Sequence, residues 1–187
     1  MRKHYLTYRS LLIALCFLLA GISQMKAQGI SYRAQSLYIY KFTRYVQWPE
    51  GVEGDTLVIG VFGNSPIEDE LRLMASLKRA AGNRPIKIRQ IEGLGGLSYM
   101  FQEPAQPLHI LYVPSSKSRQ LTAILQFMAE RPVLVVAERG GLARRGACVN
   151  FMVTEDDILR FEYNQTKLGQ LRLAVAEELL RLGYKVK

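Results

Sequence analysis

Apolar residues recur at helical spacing near the start of the chain, on a stripe formed by Ala34, Tyr38, Phe42, Tyr45 and Val46. A stripe of this width predicts an amphipathic helix that packs against a larger apolar surface. Pro49 ends the helix, because a proline favours an extended backbone in the residue before it, here Trp48. We expect the stripe to be core; the alternative is that its tyrosines or Trp48 stay exposed to contact a partner.

Continuous apolar runs of strand length then alternate with helical patterns. Such runs are typical of strands that are buried on both faces, and they span Leu57–Gly63, Leu108–Val113 and Val133–Ala137. The segment from Pro85 to Ile91 alternates imperfectly and predicts a strand nearer an edge.

Two helices are predicted between these strands. The first begins at Ser65 as N-cap, with Glu68 completing a capping box, and runs to about Ala81. The second carries its core residues from Leu121 to Met128. Between them, Gly93 to Pro107 is predicted to be a glycine-rich connector.

The pattern changes after residue 137. A basic turn, 139–146, leads to Val149–Val153 and Ile158–Asn164, which lie too close together for a helical crossover and predict an antiparallel hairpin. Gln165 to Leu182 predicts a long amphipathic helix. The fold class is therefore α/β, with three layers, a mostly parallel sheet, a C-terminal antiparallel hairpin and helices on both faces.

The first 27 residues have the features of a cleaved secretory signal. Basic residues precede the apolar run Leu11–Ala20, and Ala27 is a small residue at a plausible cleavage point. The run is shorter than a membrane-spanning helix, so a retained anchor is the less favoured alternative and no transmembrane segment is expected in the mature chain. Residues 28–187 are predicted to be one domain.

Charge points to an acidic partner. The leader holds four of the 25 basic residues, which leaves 21 basic against 16 acidic residues in the mature chain. A modest positive balance outside the cytoplasm favours contact with an acidic membrane surface or an acidic protein, and no nucleic-acid-binding motif is present.

Cys148 is the one cysteine outside the leader. One thiol cannot close an internal disulfide, so it is either a buried thiol or the site of an intermolecular disulfide in a homodimer.

The sequence contains no recognisable catalytic motif. His109 is the sole histidine after the leader and is expected to be a hydrogen-bonded core or rim residue. No metal cluster, catalytic base or nucleophile motif accompanies it, so we predict no enzyme activity, no metal and no cofactor.

Ligands of open α/β sheets bind beyond the carboxyl ends of the strands. Two of the loops there lead into predicted helix N-termini, which favour anions. The alternative is that these are ordinary caps beside a solvated basic loop. The candidate ligand rim consists of Asn64, Ser65, Ser115, Ser116, Arg144 and Arg145.

Several short sequence segments occur in the same order and at similar spacing as in the YfiR family, so the chain resembles that family. They are Tyr40-Lys41-Phe42-Thr43, Val46, Trp48-Pro49, Ile59–Gly63, Arg84-Pro85-Ile86, His109–Tyr112, Val133–Val136, Asn150-Phe151 and Leu159–Asn164. The resemblance implies a periplasmic regulator without catalytic activity that binds the periplasmic part of an inner-membrane signalling protein and represses it. That partner is a diguanylate cyclase in some members and a sensor histidine kinase in others.

Two features depart from the family. Its type member uses paired cysteines for disulfides, whereas this chain keeps only Cys148 outside the leader, and Gly146-Ala147 stands where a double glycine is favoured. Control through internal disulfides is therefore not expected here.

Strand alternation supplies a candidate partner surface. It places Arg160, Glu162 and Asn164 on one strand face, and we add Phe151 and Trp48 to the candidate partner-binding residues. The alternative is that this charged face is merely solvated. A second functional hypothesis is a periplasmic small-molecule receptor, with its ligand at the strand-end loops, that passes occupancy to a membrane transporter or kinase.

Overall fold

A computed structural model describes residues 32–52, 54–102 and 107–186. The predicted leader, residues 1–27, lies outside the described residues. Among those that are described, no helix is long and apolar enough to cross a membrane.

Seven strands form one central sheet. Their order is β3-β2-β4-β5-β6-β7-β9, and neighbours from β3 to β6 run parallel. β7 is antiparallel to β6, and β9 runs parallel to β7 at the edge. The strands are β2 (Leu57–Phe62), β3 (Ile86–Ile91), β4 (Leu108–Val113), β5 (Leu134–Ala137), β6 (Val149–Val153), β7 (Leu159–Asn164) and β9 (Tyr184–Val186).

The remaining elements surround this sheet. A two-stranded ribbon joins β1 to β8 in antiparallel register. The helices and ribbon strands are α1 (32–45), β1 (Val46–Gln47), α2 (Ile67–Leu77), α3 (Gly93–Gln102), α4 (Leu121–Met128), α5 (Gln165–Gln170), β8 (Ala174–Val175) and α6 (Glu177–Leu180), with 3-10 turns at Ala81–Asn83 and Ser115–Gln120.

The predicted three-layer α/β class is confirmed. From β2 the chain moves outward to β3 and then back past β2 to β4. Right-handed crossovers in opposite directions place α2 and α3 on opposite faces of the sheet. Arg44 of α1 donates to the carbonyl of Ala80, just beyond α2, at 3.0 Å. On the other side, the rings of Phe101 in α3 and Phe127 in α4 are 6.0 Å apart.

The opening helix packs as predicted, but its stripe is rotated. Ile39 and Phe42 are buried, whereas Tyr45 is 45% exposed. Phe42 meets Phe161 edge to face at 5.5 Å and stacks with Phe151 at 6.3 Å. The prediction that Tyr45 belongs to the core is wrong, because the turn around residue 45 is where the helix ends and β1 begins.

Two local predictions near the middle of the chain are also wrong. The capping box does not form, because Glu68 pairs with Arg72 four residues later, and α2 ends at Leu77. The segment predicted to be a glycine-rich connector contains α3, whose Leu97 is fully buried. Burial of such apolar residues outweighs the low helix propensity of the glycines.

The long C-terminal helix is replaced by four short elements. Arg172 has a left-handed backbone, with φ of 55°, so the helix cannot continue past this point. The chain then pairs with β1 through Val175 and Val46, and ends as β9 beside β7. Leu168, Leu171 and Leu179 are nevertheless buried, as the apolar stripe requires.

Candidate functional site

The polar face of the β6–β7 hairpin is covered by the chain itself. Glu162 Oε2 accepts a hydrogen bond from the amide of Gly141 at 3.0 Å, and Asn164 Nδ2 donates to the carbonyl of Ala143 at 2.9 Å. From β6, the buried Asn150 Oδ1 accepts from the Ala143 amide at 2.6 Å. These three side chains fasten residues 139–146, the basic loop, across the hairpin.

The five candidate partner-binding residues therefore differ in access. Glu162 and Asn164 share a face, as alternation predicted, but they bond the basic loop. Phe151 is buried against α1, and Trp48 is only 5% exposed. Arg160 is half-buried and keeps part of its side chain at the surface.

Trp48 and His109 meet inside the fold. The indole nitrogen donates to the carbonyl of His109, and His109 Nδ1 accepts from the amide of Val58 at 3.1 Å. Burial, and secondarily the charge of Arg84, lower the pKa of His109 from 6.5 to about 4. The histidine is a hydrogen-bonded core residue, as predicted. Within the described residues, no group of three or more potential metal ligands comes together.

Exposed apolar side chains lie at one end of the sheet. Val153 and Ile158 flank the tip of the β6–β7 hairpin and are 55% and 44% exposed. Leu182 and Tyr184, at the start of the edge strand β9, are 40% and 52% exposed. Strand register places Val153 on the same face of the sheet as Phe161, whereas Tyr184 lies beside Glu162 on the other face. We call these four residues the sheet-edge patch; it extends over both faces of the sheet beside the outer backbone edge of β9.

The predicted ligand rim is partly filled by the chain's own groups. The amide of Ser115 donates to Glu138 Oε2 at 2.6 Å, so a carboxylate already occupies that turn. A Cβ on Gly63 would lie 2.6 Å from Lys117 Cε, which shows that Lys117 lies across the loop after β2. Asn64 and Ser116 are exposed, and the buried Ser65 hydroxyl has no hydrogen-bond partner among the described residues.

A polar cluster lies behind this rim. The hydroxyl of Tyr112 donates to Gln35 Oε1 at 2.7 Å, which ties β4 to α1. Burial, and then the nearby carboxylate of Glu138, raise the pKa of both Tyr32 and Tyr112.

The two arginines assigned to the rim lie in the basic loop, and both are exposed. Arg144 lines a groove of about 400 Å³ together with Lys167 and Gln170 of α5. The groove does not include Ser65 or Ser115.

Cys148 is fully buried. Its Sγ lies 3.8 Å from the carbonyl oxygen of Val133, and burial raises the pKa of the thiol to about 11. An intermolecular disulfide would require this part of the sheet to open.

The loop that covers the hairpin and the edge strand β9 were not predicted from the sequence. Asn150 was part of the family resemblance, but the loop that it holds was not foreseen. Leu182 was the last residue of the predicted C-terminal helix, and no element was predicted for Tyr184. Gly183, followed by the alternation of Tyr184 and Val186, was the available signal for a strand there.

A family model described as YfiR/HmsC-like matches residues 32–184. No curated protein matches the chain. Among solved structures, a conserved domain protein from Vibrio cholerae O1 biovar El Tor is similar, with 13% identity, a TM-score of 0.55, and 70% of this chain and 54% of that chain covered.

A second solved structure is an ABC domain in complex with L-Trp from Streptococcus pneumoniae. It has 10% identity and a TM-score of 0.49, with 70% of this chain and 55% of that chain covered. The chain thus spans about half the length of each solved chain, and the Vibrio similarity shows the fold alone.

Proposed function

Because this chain belongs to the YfiR/HmsC-like family, we propose that it is a periplasmic, non-enzymatic regulator that binds and represses an inner-membrane signalling protein. The partner is a diguanylate cyclase or a sensor histidine kinase with a periplasmic segment. Residues 1–27 act as the cleaved leader, and residues 28–187 form the regulatory domain.

The sheet-edge patch is the observation that carries this proposal. Val153, Ile158, Leu182 and Tyr184 are exposed where the sheet ends, and the edge strand β9 has only β7 as its neighbour among the described strands. A partner strand can pair with the free backbone edge, and its side chains, which alternate between the two faces of the sheet, can contact exposed apolar residues on both faces. Exposed apolar residues beside an unpaired edge are typical of protein–protein contacts.

Residues next to the sheet-edge patch also support the proposed contact with a partner. Phe151 and Phe161 pack against Phe42, so α1 supports the hairpin on the face opposite Tyr184. Arg160 adds a half-exposed cation on β7 for an acidic group of the partner. The other candidate partner residues, Trp48, Glu162 and Asn164, act through the fold and the basic loop.

The small-molecule receptor is the less favoured function. A ligand that binds at the strand-end loops would first have to displace Lys117 from Gly63 and Glu138 from the Ser115 amide.

The test compares two exposed tyrosines at opposite ends of the sheet. Tyr184 belongs to β9, and Tyr99, 63% exposed, lies on α3, which connects the opposite edge strand β3 to β4. Membranes are crosslinked mildly, and the captured proteins are identified by mass spectrometry. We expect the unaltered protein to capture a membrane protein with a cyclase or kinase domain, Tyr184→Glu to lower its recovery by about 10-fold or more, and Tyr99→Glu to leave it unchanged.

Signalling output provides the second readout. Loss of the protein should raise cyclic diguanylate or phosphorylation of the partner's substrate, and Tyr184→Glu should fail to restore repression. Absence of any captured membrane signalling protein would contradict the repressor function. Equal effects of the two tyrosine variants would instead contradict the sheet-edge patch as the contact surface.

A further inference from the structure

The groove between the basic loop and α5 has cations on both walls. Arg144 comes from the loop, and Lys167 comes from α5. Thr166 and Gln170 add a hydroxyl and an amide, and none of the described residues that line the groove is acidic. This lining offers donors from two sides and no competing carboxylate.

One side chain fixes the distance between the two walls. Asn164 Nδ2 donates to the carbonyl of Ala143 in the loop, and Asn164 Oδ1 accepts from the backbone amide of Lys167, each at 2.9 Å. Asn164 itself lines the groove. A site whose walls are held by hydrogen bonds loses less entropy when a ligand binds.

No ion pair among the described residues neutralises the groove cations. Within the described residues, the salt bridges join Arg72 to Glu68 and Arg181 to Glu177. Arg144 and Lys167 therefore line the groove with no carboxylate within ion-pair distance in the part of the chain that the structure describes. Lys167 is also half-buried, which strengthens its attraction for an anion relative to a fully exposed lysine.

A second groove that α5 lines contains acidic residues. It measures about 800 Å³ and shares Lys167 and Gln170, but Glu50 and Glu130 line it together with Arg172. Two carboxylates disfavour an anion there, so the groove beside Arg144, whose described lining has no acidic residue, is the better anion site.

We propose that the groove lined by Arg144, Thr166, Lys167 and Gln170 binds a phosphate group, carried either by a small soluble molecule or by a lipid headgroup. Arginine forms forked hydrogen bonds to phosphate oxygens, and lysine acts as a compact charge beside them. The hydroxyl and amide provide further donors, which suits a tetrahedral group with several acceptor oxygens better than a single carboxylate. A volume of about 400 Å³ accommodates a small phosphate ester.

The experiment uses the purified protein alone, so its outcome does not depend on the proposed membrane partner. Inorganic phosphate and glycerol phosphate are titrated while amide resonances are followed by NMR. Phosphatidylcholine vesicles with and without phosphatidylglycerol form the lipid arm. We expect saturable shifts at residues 144–146 and 164–170, in at least one arm.

Neighbouring arginines supply the matched control. Arg144→Gln and Lys167→Gln should each weaken binding by about 10-fold or more, because each removes a charged hydrogen bond. Arg145→Gln removes the same charge from the adjacent exposed position, which does not line the groove, and should change affinity by less than about twofold. Arg144→Lys should retain part of the binding, and thermal unfolding shows whether each variant is folded.

Binding to soluble phosphates alone would identify a soluble ligand, and binding to anionic vesicles alone, with the same dependence on Arg144 and Lys167, would identify a headgroup. The proposal is overturned if neither arm shows saturable binding. It is also overturned if Arg145→Gln weakens binding as much as Arg144→Gln, since the attraction would then be a diffuse effect of surface charge.

Discussion

The indole nitrogen of Trp48 donates a hydrogen bond to the carbonyl oxygen of His109 across 3.2 Å, and the two rings meet edge to face with centroids 5.4 Å apart. This contact joins the residue that follows β1 to β4 in the middle of the sheet. It also gives the sequence's most conspicuous aromatic residue a structural role.

Trp48→Phe should lower the free energy of unfolding by roughly 1–3 kcal/mol, because the ring shrinks and a buried carbonyl loses its donor. Tyr45→Phe, three residues earlier and exposed, should stay within about 0.5 kcal/mol of the unaltered protein. Urea denaturation followed by circular dichroism measures both. Since Trp48 is the only tryptophan, its fluorescence in the unaltered protein should resist quenching by acrylamide; strong quenching before unfolding would contradict burial.

His109 should make stability depend on pH. Its pKa falls from 6.5 to about 4 on folding, so between these values the unfolded chain binds a proton that the folded chain does not. This contribution is fully present above about pH 6.5, decreases as the pH falls, and levels off below about pH 4, with a total of at most roughly 3 kcal/mol.

His109→Asn isolates that contribution. The asparagine oxygen can still accept the hydrogen bond from the Val58 amide, but it does not titrate. Unfolding free energies of the two proteins, measured from pH 4 to 8, should therefore diverge in slope between about pH 4 and 6.5. Parallel curves would show that the histidine is not held neutral.

The thiol of Cys148 should be unreactive in the folded protein. Burial raises its pKa to about 11 and excludes reagents. At pH 8, an aromatic disulfide reagent should react on the order of 100-fold more slowly with the leader-free protein than with the denatured chain. Cys148→Ala serves as the blank. A dimer band on a non-reducing gel that disappears in Cys148→Ala would show that the thiol reaches a second molecule after all.

Asn164 should contribute to stability through two separable bonds. Asn164→Ala loses both the cap of α5 and the bond to the basic loop, at a cost of roughly 2–3 kcal/mol. Asn164→Asp keeps the acceptor for the Lys167 amide, but it replaces the donor to Ala143 by a carboxylate oxygen that repels that carbonyl, so it removes the loop contact and preserves the cap. Hydrogen exchange at the Lys167 amide should accelerate in the alanine variant and stay slow in the aspartate variant.

The parallel part of the sheet could be predicted because its central strands are continuous apolar runs, which can be recognised locally in the sequence. Runs such as Leu57–Phe62 are apolar on both faces, and only a strand covered by two layers suits them. The C-terminal region could not be predicted in the same way. Leu168, Leu171, Val175 and Leu179 have helical spacing, and nothing in that spacing shows that Arg172 adopts a left-handed backbone.

The polar face of β7 could likewise be predicted only in part. Alternation correctly placed Glu162 and Asn164 on one face, because side chains of a strand alternate whatever surrounds them. What covers that face depends on the path of the basic loop, whose bonds to Asn150, Glu162 and Asn164 span up to 21 residues of sequence. The groove beside Arg144 exists only once that loop and α5 are in place.

The β1–β8 ribbon delays folding of the N-terminal part of the domain during synthesis. Val46 pairs with Val175, and the amide of Ala176 donates to the carbonyl of Tyr45. The beginning of the domain therefore finds its partners only after nearly the whole chain has left the ribosome. Until then α1 lacks Phe151 and Phe161 as well, so early folding is postponed. A polypeptide with this topology stays unfolded until almost all of it has been synthesised.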